Sequence, residues 1–258
     1  MINLKRIWRK WHILIQIVPF LILVILLKLY THDNNWEIIS LNALFTSMIA
    51  ATIFLFGFLV NGVISDYKES EKLPTEIAAS METIYDEARI IRINKKSKEV
   101  EEFIAFHKMF IDSVLKWFYA KERTNSILNK ISDMNNHFAK LENQTQPAFM
   151  SRLKQEQNNI RKMVIRINNI RDLSFVESAY AVLEALVVLL LIGLVLLKLE
   201  PFYESLFFVS IVSFVSLYML FLIRDLDNPF DYKEYGETAS EVSLKPLKDL
   251  KQRIENKN

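Results

Sequence analysis

The residues in this sequence best placed to do chemistry are six that could line a path. Ser47, Ala50, Phe54, Phe58, Asn61 and Ser65 fall three or four residues apart, so on an α-helix they share one face. The chemistry of such a face is passage, not bond making. Hydroxyl and amide groups at its two ends would hold water, and the two aromatic rings between them would pinch the path dry. Ordinary packing is the alternative, because aromatic rings fill cores, and small residues such as Gly57 and Gly62 in the same segment let helices approach one another. Spacing alone leaves both readings open.

A second chemical signal is Glu184, an acid inside the apolar run from Val176 to Leu197. An ionisable group at the centre of a membrane helix costs roughly 2.5 to 3.5 kcal/mol, so it is expected to face protein or water. It would serve as a hydrogen-bonding group inside a helix bundle or as part of an ion path. Little else suggests reactivity. His12, His32, His107 and His137 are scattered, with no two at metal-binding helical spacing. The chain has no cysteine and only four glycines, which removes thiolate sites and phosphate-cradling loops. Acids of the middle segment interleave with lysines and arginines as on solvated helix faces. No catalytic constellation emerges, so the expectation is a protein that is not an enzyme and has no cofactor or metal. A net charge of +2 from 32 basic and 30 acidic residues gives no footprint for nucleic acid.

The elements that must position these residues are membrane helices. Of 258 residues 51% are hydrophobic, and the mean hydropathy of +0.15 is too apolar for an ordinary soluble domain. Crossing a bilayer takes about 20 apolar helical residues, and four runs qualify: Trp11 to Tyr30, Ile38 to Ile64, Val176 to Leu197 and Phe202 to Ile223. Lys28, in the first, is expected to snorkel to the interface, and Ser210, Ser213 and Ser216, in the fourth, to sit at helix interfaces. Lys5, Arg6, Arg9 and Lys10 precede the first run, whereas Thr31 to Glu37 carries only Asp33 and Glu37 as charged groups besides His32. The long run without a cleavage site reads as a membrane helix, not a signal peptide. Basic residues stay inside, so the N-terminus is expected in the cytoplasm of a cell (inner) membrane protein, and four crossings bring the C-terminus back to it.

The expected organisation is residues 1–65 with the first two spans, a cytoplasmic helical region at 66–175, two further spans at 176–224 and a cytoplasmic tail at 225–258. The fold class is an all-α membrane protein, with four transmembrane helices in two pairs and a long helical cytoplasmic region. Within that region Val100, Phe103, Ile104, His107, Ile111, Val114 and Phe118 trace one helical face, and Leu153, Ile160, Met163, Val164, Ile167 and Ile170 another. Thr75 reads as a helix N-cap and Asn143 to Pro147 as a connection. No strand alternation competes. In the tail, Pro229 should stop the last helix, Phe230 offers an anchor, and Leu244, Leu247, Leu250 and Ile254 form a stripe expected to dock.

Two motifs carry a family resemblance. Phe54-Leu55-Phe56-Gly57-Phe58, followed by Tyr67, Glu69, Lys72, Leu73 and Pro74, resembles the second membrane helix of the bestrophin channels, whose pore neck is framed by residues four apart. Leu226-Asp227-Asn228-Pro229-Phe230, leading into Val242-Ser243-Leu244-Lys245-Pro246-Leu247, resembles their motif after the last span. The nearer likeness is to the bestrophin-like family of prokaryotic membrane proteins. The resemblance implies a homopentamer in the lipid bilayer that conducts inorganic ions, chloride among them. Its neck would be formed by Phe54, Phe58 and Ala50, its lining by Ser47, Asn61 and Ser65, and its post-span motif by Asp227, Asn228, Pro229 and Phe230. There are departures. Asp66-Tyr67-Lys68-Glu69 replaces a basic and aromatic cluster, Ala50 replaces a large aliphatic residue, and residues 231–236 lack the dense acidic run of the calcium clasp, so calcium gating is not implied. Asp33, Glu37, Glu200 and Glu204 outside, with Asp66 and Glu69 after the neck, keep a cation-conducting homologue open, and a non-conducting scaffold or sensor binding a partner through its cytoplasmic helices is the other class.

Overall fold

The computed structural model describes residues 4–172, 177–232 and 241–256, with side chains from Trp11 onward except those of Glu177 and Ser178. The side chains of Lys5, Arg6, Arg9 and Lys10, the expected span start at Val176 and residues 233–236 lie outside the described residues. The chain divides into two compact units, residues 1–66 with 174–227 and residues 67–173 with 228–258.

The first unit is built from α1 (Leu4–Asp33), β1 (Ile39–Ser40), α2 (Ala43–Ser70) as far as Asp66, α7 (Glu177–Val195), β2 (Leu197–Lys198) and α8 (Phe202–Asp227). Among the described residues, α1, α2 and α8 are long and apolar enough to cross a membrane, and α7 is apolar over the shorter stretch Ala179–Val195. The second expected span, Ile38 to Ile64, is corrected at both ends. Ile39 and Ser40 are extended and pair in parallel with Leu197 and Lys198, and the helix begins after Asn42, whose side-chain oxygen accepts from the Phe45 N–H at 2.9 Å. That is an N-cap. The third expected span likewise ends at Val195 and not at Leu197, while the fourth continues past Ile223 to Asp227, where Pro229 ends helical geometry.

Packing in this unit follows apolar faces. Val24, Phe45, Leu190, Leu194 and Val209 form one cluster, and Phe56, Leu59, Val63, Leu183, Val187, Leu220 and Ile223 another, so α2 lies against α7 and α8. Gly193 is required there, since a Cβ on it would meet the Phe45 ring at 2.5 Å. On α8, Ser213 and Ser216 are buried, and half-buried Ser210 returns its hydroxyl to the Leu206 carbonyl at 2.7 Å. Ser213 and Ser216 therefore lie inside the helix packing, as their type suggests, whereas Ser210 is satisfied by its own helix.

The second unit stacks α3 (Leu73–Asn94), α4 (Lys98–Phe118), α5 (Thr124–Leu141), α6 (Pro147–Asp172) and α9 (Lys245–Asn256). Ser97 caps α4 through Val100 N–H, and a short 3-10 turn at Glu142–Gln144 makes the expected connection to α6. Thr75 is not a cap. The helix starts at Leu73, because proline fits a first helical turn whose N–H groups are unpaired anyway, and the Lys72 carbonyl already accepts from Glu76. Both apolar stripes are inside: every residue of the first is buried, and of the second only Ile170 is partly exposed. The tail stripe is buried too, with Leu247, Leu250 and Ile254 of α9 packed against α3 and α4 and Leu244 just ahead of them.

His107 sits at the centre of this core without access to solvent. One ring nitrogen meets the Met81 carbonyl at 2.8 Å, and burial pushes the imidazole down from 6.5 to about 4, so the ring is neutral at pH 7. A proton therefore prefers the unfolded chain, and the stability held above pH 6.5 is lost as pH falls toward 4. The loss is on the order of 3 kcal/mol. Thermal melts of the detergent-solubilised protein followed by circular dichroism should drop over this window. They should drop distinctly less in His107→Gln, which is neutral and still able to donate to Met81; parallel curves for the two proteins would refute the assignment.

Candidate functional site

The capped, proline-free helix α2 presents two unlike sides. Phe45, Thr52, Phe56, Leu59 and Val63 are buried, whereas Ser47, Ala50, Phe54, Phe58, Asn61 and Ser65 are all exposed. Phe54 is 77% and Phe58 65% exposed, so packing within the chain uses neither ring. Gly57 belongs to the same open surface, because a Cβ built on it meets nothing within 4 Å. Ser47 returns its hydroxyl to the Leu44 carbonyl at 2.8 Å, which satisfies it locally. The side chains of Asn61 and Ser65 make no hydrogen bond among the described residues, and the Asn61 amide therefore needs water or another molecule.

Glu184, on α7, has a protein partner: Arg224 Nη2, near the end of α8, lies 2.5 Å from its carboxylate, and the two side chains are 53% (Arg224) and 41% (Glu184) exposed. Sequence reading placed the acid among helices but missed the arginine, although Arg224 is the basic residue in the last turn of α8. His12 and Asp225 approach to 3.9 Å in the same unit. No hydrogen bond or ion pair joins Glu184 to the α2 stripe among the described residues. The motif after the last span divides by role. Asp227 ends α8 beside Tyr180, the Asn228 side chain accepts from the Phe230 N–H at 3.3 Å in a local turn, and Phe230 is buried against Phe118 at 6.0 Å between ring centroids. Arg171 faces the rings of Trp117, Phe118 and Phe230 at 4.7, 5.5 and 6.0 Å.

An ionic knot in the first unit was not legible beforehand. Lys28 does not snorkel; it is fully buried. Its ammonium donates to the Leu197 carbonyl of β2 and lies 2.5 Å from Glu37. The other oxygen of Glu37 is 3.1 Å from His32, whose ring stacks on Phe202 at 3.7 Å, and Thr31 donates to the Val195 carbonyl at 2.9 Å. Burial works against ionisation of Glu37, but its bonds to Lys28 and His32 outweigh it and hold the acid below the usual carboxylate range. The end of α1, β1 and β2 are thereby tied together. Among the described residues no three of His, Asp or Glu converge where they would hold a metal ion.

No protein-family model matches the sequence, and no curated protein matches it. Solved structures do. A point variant of a bacterial bestrophin homolog from Klebsiella pneumoniae superposes with a TM-score of 0.76 at 15% identity, covering 93% of this chain and 98% of that one. A second variant of that homolog gives 0.76 at 14% over 95% of this chain and 97% of its own, and a crystal structure of a membrane protein gives 0.75 at 13% over 93% and 98%.

The knot makes a direct prediction about stability. Glu37→Gln strands a buried ammonium, which costs on the order of 3 kcal/mol, whereas Lys28→Met leaves Glu37 with His32 and costs markedly less. Melting temperatures in detergent measure both, and equal losses would show that the pair does not act as a buried charge pair. At 13 to 15% identity the likeness to the solved structures is one of fold, and along nearly its whole length this α-helical membrane protein has the fold of the bacterial bestrophin homologs.

Proposed function

We propose that the protein is a homopentameric, anion-conducting channel of the cell (inner) membrane, with four spans, both termini in the cytoplasm and a pore lined by α2. The observation that carries the reading is the unpacked stripe on α2 in a chain with the bestrophin-homolog fold. Its residues suit neither the core of a single chain nor lipid: Asn61 and Ser65 are polar and unpartnered, while Phe54 and Phe58 stand between them and Ser47. A ring of copies around α2 gives this face a common axis. Phe54 and Phe58 then form stacked apolar rings that gate by dewetting, with Ala50 on the outer side, and their partly positive ring edges favour anions. Ser47, Asn61 and Ser65 wet the path above and below.

Three of the six acids that kept cation conduction open are countered by a cation: Glu37 by Lys28, Glu200 by Lys198 at 3.6 Å and Glu69 by Arg166. No catalytic role is assigned to any residue.

Truncating both rings, in Phe54→Ala/Phe58→Ala, is expected to raise chloride flux from liposomes several-fold, because the narrowest and driest point is removed. Mass measurement of the solubilised complex should give five subunits for both proteins. Unchanged flux in a folded, pentameric double variant would end the neck assignment, and a native protein that assembles but passes no ion would favour the scaffold instead.

A further inference from the structure

Helix α2 does not end with the stripe. It continues without a break to Ser70, and Lys68 follows Ser65 by three residues and Asn61 by seven, two full turns, so it stands on the same face. The geometry points to Lys68 as the residue that sets the charge preference of the path, a role that rests on the channel reading above.

Its neighbours decide whether this charge counts. Lys68 is exposed and makes no ion pair or hydrogen bond among the described residues. Glu69, the adjacent acid, is held by both branches of the Arg166 guanidinium, at 2.9 and 2.8 Å. These bonds hold it below the usual carboxylate range and balance its charge. Asp66, two residues earlier and half-buried, projects to nearly the opposite side of the helix. Glu71 and Lys72, one of each sign, follow in the turn after Ser70. The unbalanced charge on the stripe is therefore positive. The helix C-terminus favours a cation there, but its partial charge offsets only part of a full ammonium.

Repeated in each copy around the axis, Lys68 makes a ring of positive charge about one turn past Ser65, the last polar lining residue. Such a ring concentrates anions and repels cations, whereas the apolar rings of Phe54 and Phe58 set width and wetness. Selectivity and gating are thus assigned to different residues of one helix.

Reversal potentials in planar bilayers under a tenfold potassium chloride gradient test this. The native protein should prefer chloride, Lys68→Arg should retain the preference, Lys68→Gln should lower the chloride-to-potassium permeability ratio several-fold, and Lys68→Glu should invert it. Arg166→Gln, which frees the Glu69 carboxylate without touching Lys68, should shift the ratio in the same direction as Lys68→Gln and gives a second reading should the charge reversal misassemble. Conducting, correctly assembled Lys68→Glu channels with the native ratio would overturn the role of Lys68 and leave the channel standing. Absence of any current from the native protein would remove the channel reading and this inference together.

Discussion

The side-chain contact of the inner side of α2 with helices α7 and α8 decides which face of α2 is left free. Phe56, Leu59 and Val63 meet Leu183, Val187, Leu220 and Ile223, and Phe45 presses on the bare backbone of Gly193. Burying a large apolar side chain contributes roughly 1.5 to 3 kcal/mol, though lipid lowers the drive between membrane helices and leaves close packing to do more. The contact also fixes the rotation of α2 about its own axis. Once one side is committed, Ser47, Phe54, Phe58, Asn61 and Ser65 can only face outward. Their exposure is a consequence of packing elsewhere.

The second unit uses the opposite balance of forces. Helix α9 is polar in composition, yet Leu247, Leu250 and Ile254 are buried, while Lys251 to Asp112 and Arg253 to Glu82 form half-exposed ion pairs at its rim. Exposed pairs contribute about 0.2 to 1 kcal/mol, less than any one of the buried leucines. Docking of the tail is therefore an apolar event with a charged border. The chain before α9 is drawn in by the same logic, with Phe230 on Phe118, Val242 N–H on the Pro229 carbonyl at 3.0 Å and the Tyr232 hydroxyl on the Val242 carbonyl at 2.7 Å.

What could be read in the sequence was what depends on spacing along one helix. The Val100 to Phe118 face and the Leu244 to Ile254 stripe emerge from a 3.6-residue period and are buried as that period demands, whereas the α2 stripe emerges from the same period without its burial being fixed by it, and in the single chain it is exposed. What could not be read depends on partners far along the chain. Lys28 looked like a snorkelling lysine because the rule sees only its apolar neighbours, whereas one of its partners is the carbonyl of Leu197, 169 residues away. The Ile39–Ser40 and Leu197–Lys198 pairing is two residues long on each side, too short to leave an alternating pattern. Glu184 was recognised as costly, but its cost could not be reduced to a partner until α7 and α8 were seen together.

Charge in this molecule is better understood by pairing than by counting. A count along the sequence places Asp66 and Glu69 after the neck and Glu37 and Glu200 at the other end, which reads as acidic at both mouths. In three dimensions Glu37, Glu69 and Glu200 each hold a cation, so little of their field extends outward. Groups that remain uncompensated carry the field instead. The same reasoning applies to Glu184 and Arg224, which cancel each other yet stay about half exposed on helices otherwise suited to lipid. A half-exposed ion pair is tolerated at such a depth only where water or another protein surface reaches it. Asn61 makes the same demand from α2. Two separate features of the first unit thus call for water or another protein surface, Asn61 on α2 and the pair of Glu184 on α7 and Arg224 on α8.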